Sequence, residues 1–108
     1  MSIANLYIGS DNRVRWDQLK DNRTDAFVND ATVTVTIKTE AGVAIVGLTD
    51  VAMPYVAASS GRYQGILPYA QTALLTHGER YFVEVTANRG TYRDFRRFQA
   101  IARYRGAT

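Results

Sequence analysis

The one histidine of this 108-residue chain, His77, stands beside Gly78, Glu79 and Arg80 in the stretch HGERYFVEV. A histidine next to a carboxylate is a pairing from which general bases and metal sites are built. The partners that such chemistry needs do not follow. A serine nucleophile requires a strained elbow, whereas Ser59 and Ser60 sit in a plain SSG turn. Zinc takes three or four ligands, and a lone histidine in a chain without cysteine would have to lean on carboxylates. GVAIVGLT (42–49) has the glycines of a phosphate loop but not its lysine. In DNRTDAFVND (21–30) the aspartates lack the order of a calcium loop, and Arg23 falls where an oxygen ligand is wanted. Aspartate and asparagine suit turns for their own backbone hydrogen bonds. The three glutamates, Glu40, Glu79 and Glu84, give no carboxylate pair of the kind that cleaves glycosides. We therefore expect no catalytic residue, no metal and no cofactor. His77 and Glu79 are expected to flank a turn and face solvent.

Charge is the stronger surface signal. Thirteen basic residues face ten acidic ones, a net charge of +3, and six of the eleven arginines lie between Arg89 and Arg105. Arg93, Arg96, Arg97, Arg103 and Arg105 are interleaved with Tyr92, Phe95, Phe98 and Tyr104. Such a run suits a nucleic-acid backbone with aromatic stacking. It also suits an outer face whose aromatics point into the core. In a third reading the planar guanidinium groups meet the acidic stretch of a neighbouring subunit, Asp11, Asp17, Asp21, Asp25 and Asp30. No nucleic-acid motif accompanies the run, so the second and third readings are preferred. These five arginines and Trp16, the sole tryptophan and a natural core or interface anchor, form the candidate interaction surface.

The elements that would position these residues are strands. ATVTVTIKT (31–39) alternates Val33, Val35 and Ile37 with threonines and Lys38, the period of a strand with one buried face. EAG (40–42) turns, and VAIVGLT (43–49) is expected to return as a second strand. Pro54 confines DVAMPYVAA (50–58) to an edge strand or irregular crossover. RYQGILP (62–68) reads as a strand and YAQTALL (69–75) as a single helical turn. RYFVEVTAN (80–88) alternates again, placing Tyr81, Val83, Val85 and Ala87 on one face. Upstream, 5–9 and 13–21 read as strands, and 22–30 as a loop. The last segment, 91–105, fits either a helical stripe or a strand. Its β neighbours favour a strand, with a bulge near Arg96–Arg97 to repair the parity of Phe95. Short strands with frequent turn signals predict an all-β, Ig-like or fibronectin-type antiparallel β-sandwich of about seven to eight strands, one domain over 1–108. At this length a core needs no staples. Cysteine is absent, no apolar run reaches membrane-spanning length, and MSIANLYIGSDNR is no signal peptide, so a soluble protein folded in the cytoplasm is expected. NRT (22–24) matches the glycosylation pattern, but no secretion signal gives it weight.

Within this frame LLTHGERYFVEV resembles the tyrosine corner of Ig-like sandwiches, with Gly78 turning the chain and Tyr81 opening a strand. The run RVRWDQLKDNRTDAFVNDATVTVTI, then GRYQGILP, HGERYFVEVTA and ARYRG, resembles small Ig-like accessory proteins of tailed bacteriophage and prophage virions, of the head, neck or tail. That resemblance implies a non-enzymatic structural protein acting through subunit contacts. Its partners would be other virion proteins and further copies of itself, with no membrane, no nucleic acid and no small-molecule substrate. Its place would be the host cytoplasm during assembly and then the virion. Similar elements occur in bacterial Ig-like binding modules, so the alternative is a carbohydrate- or surface-ligand-binding module with Tyr55, Tyr69 or Phe82 as its platform.

Overall fold

Alternation of apolar and polar residues decides which segments become strands, because only a pleated chain sends successive side chains to opposite faces. The computed structural model of the protein describes residues 4–21 and 23–106. Asn22, the acceptor of the NRT pattern, and the first three residues lie outside them. Among the described residues are seven strands and one short helix: β1 (Ala4–Tyr7), β2 (Asn12–Trp16), β3 (Thr32–Thr39), β4 (Val51–Ala52), β5 (Tyr63–Leu67), α1 (Tyr69–Thr72), β6 (Arg80–Arg89) and β7 (Tyr92–Arg103). The all-β class is as expected. No helix among them is long and apolar enough to cross a membrane.

Two sheets form. The larger has the order β1-β7-β6-β3-β4 and curls as a half-barrel, and the smaller pairs β2 with β5. β1 runs parallel to β7, setting Ala4 against Ala100 and Tyr7 against Arg103. The other pairings are antiparallel, so β6 lies central between β3 and β7. The core gathers Val33, Val35 and Ile37 from β3 with Tyr81, Val83, Val85 and Ala87 from β6. Val14, Trp16, Tyr63 and Leu67 cover them from the smaller sheet.

The segment after β4 joins the sheets. Met53 N–H donates to the Val33 carbonyl on the larger sheet, at 2.8 Å. One residue on, the Pro54 carbonyl accepts from Gln64 of β5, and Val56 N–H donates to Arg62. Proline, which has no N–H to give, sits at the crossing point. Gly65 makes the crossing possible, since a Cβ there would lie 2.7 Å from the Ala52 oxygen and 2.8 Å from Met53 Cγ.

Two local expectations are corrected. Residues 43–49 do not form a returning strand. Ala44 makes one bridge to Lys38, Ile45 N–H donates to Ile37, and the chain then leaves the ladder until Leu48 accepts from Ile37 N–H. The excursion carries Val46 into solvent and brings Gly47 against Gln71 of α1, while Leu48 drops into the core. Val46 and Leu48, which a regular strand would set on one face, are thus divided between surface and interior. The second correction concerns β7. It is a strand without a bulge: its register with β6 is unbroken from Arg89↔Tyr92 to Arg80↔Ile101. Phe95 needs no repair of parity because it faces outward, with Arg93 and Arg97.

Candidate interaction surface

Strict alternation along β7 sorts the C-terminal arginines. Arg93, Arg97 and Arg103 share the outer face with Phe95. Arg96 shares the inner face with Asp94, Phe98, Ala100 and Ala102, of which both alanines are buried. Arg105 lies past the strand end, its guanidinium 4.3 Å from the centre of the Tyr7 ring. The five arginines therefore form no continuous patch. Trp16 belongs to the core, 4% exposed, and the Arg96 guanidinium stacks over its ring at 4.5 Å. That stack links β7 to β2 across the gap between the sheets.

On the outer face the central side chain is Glu84 of β6. It receives Lys38 Nζ at 2.9 Å from β3 and Arg97 Nε at 3.4 Å from β7. Arg97 also covers Phe82, 3.7 Å from the ring centre. The charges on this face are thus mostly mutual, and the aromatic left uncovered is Phe95, 49% exposed and opposite Thr86. Arg93 stands two residues away on the same face and makes no ion pair among the described residues.

The acidic third of the chain is engaged internally. Asp17 accepts Arg62 at 2.8 Å and Arg15 at 3.4 Å, Asp25 meets Lys20, and Asp30 meets Arg89. Asp11 accepts the Tyr69 N–H at the start of α1. Asp21 is buried and holds both the side chain and the N–H of Arg23, and these hydrogen bonds keep its carboxyl below the ordinary carboxylate range. Asp17, Asp21, Asp25 and Asp30 are thus each folded onto a basic partner within the chain, and Asp11 onto a backbone N–H.

Gly78 and Tyr81 lie at the entry to β6. Gly78 has φ +85°, a region that side chains resist, and its N–H donates to Ala102 of β7. The Tyr81 hydroxyl accepts the Thr76 N–H at 2.8 Å, five residues upstream. His77 stacks on Tyr104, with ring centres 5.5 Å apart. Ser59 and His77 lie beyond opposite ends of β5. The Ser59 hydroxyl is occupied in its own turn, donating to the Val56 carbonyl at 2.6 Å. No group of three or more His, Asp or Glu side chains converges to hold a metal among the described residues. Tyr55, Tyr69 and Phe82 do not meet as one platform: Tyr55 packs against Tyr63 with rings tilted by 59° and centres 5.6 Å apart, Phe82 lies under Arg97, and Tyr69 stands on α1.

Sequence reasoning missed two further tyrosines. Tyr63, fully buried, donates to the Val28 carbonyl at 2.7 Å and accepts the Ala31 N–H at 3.1 Å. Tyr92 donates to the Lys20 carbonyl at 2.7 Å. Both tie the long 17–31 connection to the sheets. Burial pushes each phenol above its ordinary value of 10.0. The signal available in sequence was parity, since each tyrosine falls at an inward position of its strand.

Comparison with family models, with curated proteins and with solved structures returns no match.

Proposed function

We propose that this chain is a non-enzymatic Ig-like β-sandwich module that works through protein contacts, as a component of a tailed-phage or prophage particle. What supports the Ig-like reading is strand order. β7-β6-β3-β4 matches the G-F-C-C′ order of variable-type Ig sheets, β2-β5 matches the facing B and E strands, and Tyr81 at the start of β6 is tied back to Thr76 in the β5–β6 connection. The particle component rests on the resemblance of the strand motifs.

The observation that carries the contact function is the outer face of β3, β6 and β7. It presents an uncovered Phe95 beside Arg93 and a Phe82–Arg97–Glu84–Lys38 cluster. Aromatic and arginine side chains together are the residues that dominate protein–protein hot spots. The test is light scattering and cross-linking of the full chain, alone and with purified head and tail proteins of the particle. The unaltered chain is expected to cross-link to at least one of them, and Phe95→Asp is expected to abolish that cross-link. A strict monomer that cross-links to none of them overturns the reading.

A further inference from the structure

β7 is twelve residues long, but β1 pairs with Ala100–Arg103 alone. The backbone direction of each β7 residue follows from three hydrogen bonds. Ala102 N–H donates to Glu79 and its carbonyl accepts Gly78, so Ala102 turns its polar groups toward β6. The Arg103 carbonyl accepts Ile8 N–H and turns toward β1. Alternation then directs the N–H and C=O of Gln99, Arg97, Phe95 and Arg93 to the side of β7 away from β6. In the parallel register Ala4↔Ala100 the Gln99 carbonyl accepts from Ala4, so at Gln99 only the N–H is open, and beyond β1 nothing among the described residues pairs with that edge. Phe95 is the one partly guarded, its N–H donating to the Asp94 carboxylate at 2.9 Å.

Beside the open edge is a gap between the sheets. β1 closes one end of it and the Arg96–Trp16 stack closes the other. Between them lies a cleft of about 140 Å³ with Val14, Val83 and Ala100 in its wall and Phe98, 38% exposed, at its lip. The volume is that of one aliphatic side chain. Arg13 and Arg15 of β2 line the same cleft, and no carboxylate does.

We propose that the edge of β7 from Arg93 to the Gln99 N–H, unpaired among the described residues, binds an extended, acidic segment of a partner protein by strand addition, with one aliphatic side chain of that segment in the cleft. This rests on the reading that the protein works through protein contacts, and it names the chemistry of one of them. Strand addition draws affinity from main-chain hydrogen bonds and specificity from pockets for alternate side chains. The Gln99 N–H and both backbone groups of Arg97 supply the hydrogen bonds, and the cleft supplies the pocket. The charge of the occupant follows from Arg13, Arg93 and Arg96 around the edge, which outnumber its one carboxylate, Asp94, while Arg15 is held by Asp17. A second copy adding its own β7 would bring two arginine-rich edges together, and like charges directly opposite destabilise a strand pair.

The experiment uses the full chain and a fluorescent peptide of alternating aspartate and valine or leucine. Fluorescence anisotropy and amide NMR follow the titration. The expected result is saturable binding with shifts at the Arg97 and Gln99 amides, abolished when alternate peptide amides are N-methylated. Gln99→Pro removes an edge N–H without touching the β6 ladder, a placement proline tolerates, and should weaken binding about tenfold or more. Arg13→Glu should weaken the same peptide, since it reverses a charge at the cleft. A melting curve close to that of the unaltered chain certifies both variants as folded. Absence of binding up to about 1 mM peptide overturns the proposal. So does equal binding of the lysine counterpart, or a homodimer that Gln99→Pro dissociates. If cross-links to particle proteins persist in Gln99→Pro while no peptide binds, strand addition fails and the wider function stands.

Discussion

Replacing Tyr63 with phenylalanine removes one oxygen from the middle of the molecule and leaves the ring in place. The hydroxyl is fully buried, donates to the Val28 carbonyl and accepts the Ala31 N–H. Val28 is itself buried, so water cannot replace the lost donor there. An orphaned buried polar group costs about 1–3 kcal/mol. The Ala31 N–H is only part-buried and adds less, so the loss should total about 2–3 kcal/mol. For a domain of this size that corresponds to a fall of about 10–15 °C in Tm. Urea unfolding followed by the fluorescence of buried Trp16, with calorimetry beside it, reads both quantities. The slope of the urea transition should be unchanged, because the surface exposed on unfolding is the same. A loss below about 0.5 kcal/mol would refute the claim that this hydroxyl anchors the 28–31 segment.

Tyr81→Phe should cost less, about 1 kcal/mol, since it removes one part-buried bond to Thr76, and His77→Ala should leave the urea midpoint nearly unchanged. The reverse order would show the histidine, and not the tyrosine, to hold the entry of β6. Gly65→Val places methyl groups against the Ala52 oxygen and Met53, and thermal unfolding should show a loss of about 3 kcal/mol; full stability would mean the chain does not cross so closely there. The response to pH should have two edges, measurable as urea midpoints across the range. Asp21 is held low by Arg23, so its contribution is present above the ordinary carboxylate value and disappears as pH falls through the lowered one. Tyr63 and Tyr92 are raised by burial, so theirs is present below 10.0 and disappears as pH rises through the raised values. Tyr63→Phe should therefore flatten the alkaline edge, and an unaltered edge would count against Tyr63 as its source.

Legibility in the sequence followed the strength of local pattern. β3 and β6 were plain because each alternates over at least seven residues, with Val33, Val35 and Ile37 of one and Tyr81, Val83, Val85 and Ala87 of the other all buried. Residues 43–49 misled because their valines and isoleucine suit a strand, whereas the loop contact between Gly47 and Gln71 is set by α1, far along the chain. β7 misled in another way. Its inner face carries Asp94 and Arg96, since the smaller sheet leaves part of it uncovered, and a half-covered face has no clean period. The arginine surface was read as one patch because sequence gives proximity along the chain, and alternation then divided it. The pairing of the aspartates was hidden for a related reason: the partners of Asp17 and Asp30 are Arg62 and Arg89, distant in sequence and adjacent across the fold.

The parallel pairing of β1 with β7 sets a timetable as well as an architecture. Ala4 meets Ala100, so β1 has no partner until all the strands between it and β7 have followed it from the ribosome. Contacts of such long separation are closed late, after the loop entropy between them has been overcome. During that interval β7 has no neighbour on the edge away from β6, and its part-exposed Phe98 and unpaired amides are available to any other chain at hand. The arginines along this strand then act as gatekeepers in time, keeping like chains apart by charge until the first strand arrives.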